Sequence, residues 1–186
     1  MKFVTGKIVN QFTTVGKKVI LRYPKMSDVD GLLEYINSLI EEEARIMLTE
    51  KQTRKSELAW LKRIMSDNKS GKSINLIIES EGKIIGSGGI DKRLAAPHSV
   101  QHVAEIRFGI KKEYRRLGVT YELAKTLIEL AKKQWNIEIV RSSYASDNLA
   151  SAKLHEKLGF KPTGVIPKGM KYGNKYTDEI IAVKKL

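Results

Sequence analysis

Residues 103–120 read VAEIRFGIKKEYRRLGVT and contain, in succession, a strand, a basic loop and the start of a helix. Apolar side chains alternate with other residues in the first part, as in a pleated strand; they are Ala104, Ile106, Phe108 and Ile110. From Val119 onward the apolar residues recur at helical spacing instead, at positions 119, 123, 127, 130 and 131. The sequence therefore predicts a strand that leads through the loop at 111–118 into an amphipathic helix.

The loop between this strand and helix has the composition of an anion-binding site. The first turn of a helix presents unpaired backbone N–H groups and the positive end of the macrodipole to the preceding loop. Arg115 and Arg116 add positive charge there, and Gly118 has no Cβ where a phosphate would approach the backbone. The alternative interpretation is a basic connector between two core elements, with no ligand.

Length and composition favour one domain with an anionic ligand or partner. The chain has 186 residues, 41% of them hydrophobic, which is enough for one sizeable core in a single domain at 1–186. Lys and Arg number 34 against 21 Asp and Glu, so the formal net charge is +13. This charge is typical of a solvated basic surface, or of a protein that binds a nucleotide-bearing cofactor, RNA-rich particles or acidic substrates.

The residue types that are missing exclude several classes of protein. The chain has no cysteine, which rules out disulfides, thiolate metal sites and a cysteine nucleophile. His98, His102 and His155 show no metal-ligand spacing, so no metal is expected. No apolar run approaches the ~18 residues needed to cross a bilayer, and the N-terminus lacks the apolar core of a signal peptide. We therefore expect a cytoplasmic protein with no membrane partner.

Periodicity along the rest of the chain predicts an α+β, or mixed α/β, domain. Residues 1–16 are interpreted as an N-terminal arm or an extra edge strand. Further strands are expected at 18–23, 74–78, 83–90, 137–141, 161–171 and 176–183. Helices are expected over 29–40, from a Thr53 cap to 68–71, from 119 onward and over 148–158. Leu94–Val100 is expected to be a loop, and Ser143–Asp147 a turn.

Two segments of the chain resemble the GNAT acetyltransferase superfamily. Arg115–Thr120, RRLGVT, follows the family's Gln/Arg-x-x-Gly-x-Gly/Ala signature, with Thr120 in place of the final Gly or Ala. Asn148–Phe160, NLASAKLHEKLGF, resembles the family's N-x-x-[AS]-x-x-L-[YH]-E-K-L-G-F segment. Residues 168–178 also resemble the closing hairpin of the ribosomal-protein N-acetyltransferase and phosphinothricin acetyltransferase branches.

The resemblance implies a GNAT-type acyl-CoA N-acyltransferase fold, a central mixed, mostly antiparallel sheet of about six to seven strands flanked by four helices. It implies acetyl-CoA as cosubstrate, without a metal, held by its pyrophosphate at the start of the helix. The residues that it places at the cofactor are Phe108, Gly109, Ile110, Arg115, Arg116, Leu117, Gly118, Val119, Thr120, Asn148, Ser151 and His155. Among them, the N–H groups from Phe108 to Ile110 would stabilise the carbonyl oxygen as it gains charge. Asn148 would bind the pantetheine amide, cap its helix, or do both.

Two residues are candidates for proton transfer. His155 stands where the family usually has a Tyr, so the implied role is a proton donor to the thiol sulfur, or its orienter. Packing beside the pantetheine arm is the alternative. Glu105, on the strand, is the candidate general base, acting through water. A surface ion pair with Arg107 is its alternative, and the amine could also lose its proton in solution.

These observations together predict an acetyl-CoA-dependent N-acetyltransferase. With no cysteine to carry an acetyl-enzyme, the acetyl group would pass directly to a primary amine, which is a protein N-terminus, a lysine or a small molecule. A monomer and a homodimer both fit. A basic nucleic-acid-binding module is one alternative, but aromatic residues are only 7% and no interleaved basic–aromatic motif occurs. A catalytically degenerate regulatory protein that binds acetyl-CoA is the other, because Thr120 and His155 depart from the common pattern.

Overall fold

The computed structural model describes residues 3–92 and 98–186, so most of the predicted loop at Leu94–Val100 lies outside it. The described residues contain one eight-stranded sheet and four α-helices. The strands are β1 (Ile8–Thr14), β2 (Lys17–Arg22), β3 (Ser73–Ser80), β4 (Lys83–Lys92), β5 (Val103–Ile110), β6 (Ile139–Ala145), β7 (Lys161–Tyr172) and β8 (Lys175–Lys185). Their order in the sheet is β1-β2-β3-β4-β5-β6-β8-β7. Neighbouring strands are antiparallel except β5 and β6, which are parallel.

Two features of the sheet differ from the sequence-based expectation. It has eight strands rather than six or seven, because Ile8–Thr14 pairs with β2, which is the edge strand that was one of the two interpretations of residues 1–16. Ser143–Ala145, which the sequence assigned to a turn, continues β6 and pairs with Glu179–Ile181 of β8. The turn prediction was wrong at these residues because pairing with a neighbouring strand overrides a local preference for turns. The predicted turn is therefore confined to the residues that follow Ala145.

The helices are α1 (Val29–Glu41), α2 (Arg54–Ser70), α3 (Val119–Gln134) and α4 (Leu149–Lys157). Two predicted boundaries coincide with capping features. The Thr53 hydroxyl accepts a hydrogen bond from the Ser56 N–H at the start of α2, and Gly159 has φ +83° just beyond α4. Asp28 precedes α1, but its carboxylate makes no cap hydrogen bond there. None of the helices in the described part of the chain is long and apolar enough to cross a membrane.

Buried apolar side chains form two clusters, one on each face of the sheet. The larger cluster joins α3 and the end of α4 to the sheet, and the smaller one joins α1 and α2 to Ile77 and Ile84. Because side chains alternate along a strand, the even-numbered residues of β5 face α3 and α4. Glu105, Arg107 and Gly109 face the opposite side, where α1 and α2 lie, and the functional groups of β5 are thereby divided between two faces.

Candidate active site

The parallel ladder between β5 and β6 is short, and its end opens a gap in the sheet. Three residue pairs join the two strands, and Glu105–Arg141 is the last of them, although both strands continue for several residues. Ile106 and Ser142 are the first residues beyond the ladder, and the Ser142 hydroxyl lies 3.2 Å from the Ile106 carbonyl oxygen. Past this point the two strands do not pair in the described structure. The backbone groups of β5 that face β6 are therefore left without a strand partner.

Two backbone N–H groups of β5 point into this gap. The Lys111 N–H donates a hydrogen bond to β4, whereas the Ile106 carbonyl faces β6. Backbone groups of successive residues alternate between the two edges of a strand. The N–H groups of Phe108 and Ile110 consequently face the gap, and that of Gly109 faces β4. Of the three predicted oxyanion donors, the geometry leaves two that a ligand in the gap can reach.

The start of α3 has the open geometry that an anion site requires. Gly118 precedes the helix with φ +79°, a left-handed conformation that favours glycine. A Cβ added at Gly118 would meet no atom of the described structure within 4 Å, so the space in front of it is open. The first intrahelical hydrogen bond runs from the Glu122 N–H to the Gly118 carbonyl, and no side chain caps the helix. The N–H groups of residues 119–121 are thus left for a ligand.

The two arginines of the loop lie in different environments. The Arg115 guanidinium forms an ion pair with Glu42, just beyond α1, and lies 3.3 Å from the Ile110 carbonyl oxygen. Arg116 is exposed and takes a left-handed φ of +63°. Leu117 is half-buried, and its carbonyl accepts a hydrogen bond of 2.8 Å from Thr14 of β1. The extra edge strand therefore anchors the loop. Both arginines are exposed, and Arg115 differs from Arg116 in being paired with Glu42.

His155 is buried, with 2% of its surface exposed, and both of its ring nitrogens are hydrogen-bonded. Nδ1 lies 2.8 Å from the Ser151 carbonyl oxygen, which can only accept, so we assign the proton to Nδ1. Burial lowers the pKa of His155 and favours the neutral ring. Nε2 then accepts a hydrogen bond from the Ser142 hydroxyl, at 2.9 Å. His155 is thus connected to the gap through Ser142.

Asn148 and Ser151 lie at the start of α4. The Asn148 side-chain oxygen accepts a hydrogen bond of 3.1 Å from the Ser151 N–H, which is the capping role considered as an alternative above. The Ser151 hydroxyl lies 3.3 Å from Nδ1 of His155. Asn148, Ser151 and His155 therefore form one connected group, and the Asn148 amide nitrogen has no hydrogen-bond partner among the described residues.

Glu105 lies on the α1–α2 face at the end of the ladder. Its carboxylate is 3.5 Å from Nε of Arg141, and 46% of its side chain is exposed. Glu105 does not pair with Arg107, which was the alternative role considered for it. Arg107 instead pairs with Asp91 and donates a hydrogen bond of 3.1 Å to Asn75. Glu105 and His155 consequently sit on opposite faces of the sheet.

Sequence reasoning missed Ser142 at this site and a buried carboxylate, Glu57, on α2. Ser142 lies on β6 within a serine pair, and nothing in its local sequence indicates the contact with His155. Glu57 lies on α2, one turn before Leu61 and two before Ile64, and is buried on the same face of the helix. A carboxylate at the spacing of an apolar stripe was the available signal.

Comparison with known proteins places this geometry in a family. A family model described as an acetyltransferase (GNAT) domain matches residues 18–161. In Bacillus subtilis, the uncharacterized N-acetyltransferase YnaD is 25% identical over 79 residues, which is 42% of this chain and 46% of that protein. The match therefore spans less than half of that relative's length.

Two solved structures illustrate the likeness of fold. RimL, a ribosomal L7/L12 alpha-N-protein acetyltransferase in complex with coenzyme A, superposes with a TM-score of 0.82 at 14% identity, over 97% of this chain and 98% of that one. The ribosomal-protein-S5-alanine acetyltransferase of Vibrio fischeri gives 0.80 at 20% identity, over 95% and 96%. The predicted fold and family resemblance are confirmed.

Proposed function

Because the chain belongs to the GNAT family of acetyltransferases, we propose that it transfers an acetyl group from acetyl-CoA directly to a primary amine. The observation that carries this proposal is the gap between β5 and β6, which opens beside the uncapped N-terminus of α3. The gap suits a thioester, and the N-terminus of α3 suits a diphosphate. Their adjacency fits a single cofactor that spans both.

Acetyl-CoA would be held by the loop and the first turn of α3. The N–H groups of residues 116–120 and the positive end of the helix dipole suit its pyrophosphate, with Arg116 exposed beside them. Arg115 could join them by exchanging Glu42 for a phosphate. Among similar structures, RimL is described in complex with coenzyme A, and the microcin C7 self-immunity acetyltransferase MccE in complex with acetyl-CoA and AMP.

The gap would hold the thioester and stabilise the reaction's charged intermediate. The amine nitrogen attacks the carbonyl carbon, and the N–H groups of Phe108 and Ile110 face the space where the oxyanion forms. Such a donor is worth about 3 kcal/mol of transition-state stabilisation. The C–S bond then breaks, the acetyl group stays on nitrogen, and the thiolate takes up a proton. No acetyl-enzyme is needed, in keeping with the absence of cysteine.

His155 would act on the leaving sulfur as its orienter, by way of Ser142. Because only 2% of His155 is exposed, we place the Ser142 hydroxyl, at the mouth of the gap, between the imidazole and the sulfur. The neutral ring holds its proton on Nδ1, against the Ser151 carbonyl, and has none on Nε2 to give, so His155 would act by positioning Ser142 beside the sulfur. The thiolate would take the proton that the acceptor nitrogen loses after the attack. Asn148 would contribute its amide nitrogen to the pantetheine arm while its oxygen caps α4.

Among the possible acceptors, we favour a protein N-terminus. RimL and the Vibrio fischeri structure are described as acting on ribosomal proteins, and the fold is common to all three. The net charge of +13 disfavours polyamines, which it would repel. A lysine or a small-molecule amine is the alternative acceptor.

Two measurements test the proposal. Calorimetric titration with acetyl-CoA should give saturable binding, and a thiol-release screen against N-terminal peptides and small amines should give turnover. No binding at millimolar acetyl-CoA would refute the assignment. Binding without thiol release from any amine would instead support the regulatory alternative, and a gel shift that persists at ~150 mM salt would support nucleic-acid binding.

A further inference from the structure

Glu42 and Arg115 form an ion pair at the mouth of the gap. Glu42 is the residue that ends α1, and Arg115 lies in the loop before α3. The Arg115 nitrogen that pairs with Glu42, Nη2, also donates a hydrogen bond of 3.3 Å to the Ile110 carbonyl oxygen. One guanidinium nitrogen therefore joins the Glu42 carboxylate to the carboxyl end of β5.

The Arg115 guanidinium stands between the two features that we assign to the cofactor. The carbonyl and N–H groups of one strand residue point to the same edge, so the Ile110 carbonyl faces the gap as its N–H does. The open start of α3 lies at Gly118, three residues after Arg115. A cofactor that reaches from this helix into the gap must pass Arg115, whose side chain is 38% exposed.

The end of α1 is an unfavourable place for a carboxylate without a cation. The C-terminal end of a helix carries the negative pole of the macrodipole, which repels anions. Glu41, Glu42 and Glu43 nevertheless follow one another there. Glu41 pairs with Lys51 at 2.8 Å, and Glu42, with 19% of its side chain exposed, pairs with Arg115. The pairing with Arg115 offsets this repulsion at Glu42 and is lost when Arg115 binds another anion.

A second ion pair keeps Glu42 near the gap. Three residues later, Arg45 pairs with Asp147 at 2.9 Å, and its guanidinium lies 4.8 Å from the centre of the Tyr172 ring. Asp147 follows the end of β6, whereas Arg115 follows the end of β5. The segment from Glu42 to Arg45 therefore contacts both sides of the gap. A carboxylate held in this way competes with any anion that approaches Arg115.

We propose that Glu42 is an internal competitor of the cofactor's diphosphate for Arg115, an inference that rests on the proposed function. The diphosphate of acetyl-CoA takes the place of the Glu42 carboxylate at the guanidinium, which binds phosphate and carboxylate by the same paired geometry. No covalent bond changes in this exchange. Coenzyme A, the product, carries the same diphosphate, so the return of Glu42 to Arg115 favours its release. Removing the charge of Glu42 should therefore tighten binding of both.

Coenzyme A affinity, measured by calorimetry, tests the competition. Glu42→Gln should bind coenzyme A about three- to fivefold more tightly than the wild type, which corresponds to the loss of one partly exposed ion pair. Glu42 belongs to neither buried apolar cluster, so this variant should fold. Glu41→Gln is the matched control, because it removes the same charge one residue away and breaks the pair with Lys51. It frees no cation at the gap, and its affinity should equal that of the wild type.

Two further measurements identify the groups that exchange. Dephospho-coenzyme A keeps the diphosphate but lacks the 3′-phosphate, and Glu42→Gln should bind it with the same gain. Arg115→Gln should bind coenzyme A more weakly than the wild type. In that background Glu42→Gln should add little, because the gain depends on Arg115.

Four results would overturn the competition and leave the proposed function standing. They are an unchanged affinity in Glu42→Gln, an equal gain in Glu41→Gln, an equal gain from Glu42→Gln with and without Arg115, and a gain that disappears with dephospho-coenzyme A. The third would reduce the effect to repulsion by Glu42, and the fourth would place Arg115 at the 3′-phosphate. A wild type that binds no coenzyme A would refute the proposed function as well.

Discussion

Replacing Gly118 by alanine should weaken cofactor binding at the start of α3 while leaving the fold intact. Gly118 has φ +79°, so a side chain there is strained by roughly 1 kcal/mol, even though its Cβ would meet no atom within 4 Å. For a chain of this length we expect the melting temperature to fall by about 2–4 °C. The added methyl group would stand in the open space before the N-terminus of α3. It should weaken acetyl-CoA binding at least about tenfold, or ~1.4 kcal/mol.

Gly71 supplies a matched control for this substitution. It has φ +71° at the end of α2, and a Cβ there would also meet nothing within 4 Å. Gly71→Ala should therefore lose a similar amount of stability and none of the cofactor affinity. Calorimetry with acetyl-CoA and thermal melting of both variants make the comparison. Wild-type affinity for acetyl-CoA in Gly118→Ala would refute phosphate binding at Gly118. Equal loss of affinity in both variants would assign the effect to backbone strain instead.

Three further predictions concern side chains. His155→Ala should lower kcat far more than acetyl-CoA affinity, and an unchanged kcat would remove His155 from the mechanism. In the folded protein the pKa of Glu57 is about 6, above its ordinary value of 4.5. The free energy of unfolding therefore falls as the pH rises from 4.5 through 6, and above pH 6 it is lower by about 1 to 2 kcal/mol. Glu57→Gln should thus melt higher than wild type at pH 8 but not at pH 4; a lower melting temperature at pH 8 would indicate a structural role. Asp28→Asn should cost about 1.5–3 kcal/mol in chemical denaturation, because it removes the charge of the buried carboxylate that pairs with two nitrogens of Arg22 and leaves Glu79 as the remaining ion-pair partner of Arg22. Asp30→Asn, from an exposed pair, should cost clearly less; equal costs would contradict this.

The elements with strong periodicity were predictable because their signals are local. The alternation before Ile110 and the helical stripe from Val119 fix a strand and a helix, and Gly118 between them marks the point where the chain must turn. Where the prediction failed, at Ser143–Ala145, the deciding contact is a strand that lies more than 30 residues away in sequence. Pairing of this kind has no local signature.

The sequence by itself determined the family, the strand–loop–helix unit at which we propose an anion site, and the helix that carries His155, because each depends on residues close together along the chain. Only the tertiary structure decided how the groups combine. Strand pairing stops after Glu105, and this leaves the N–H groups of β5 free to face a ligand. Helix packing then buries Glu57, for which the described residues supply no ion-pair partner. Such burial depends on what distant segments bring near, so no single stretch of sequence encodes the basicity of that carboxylate.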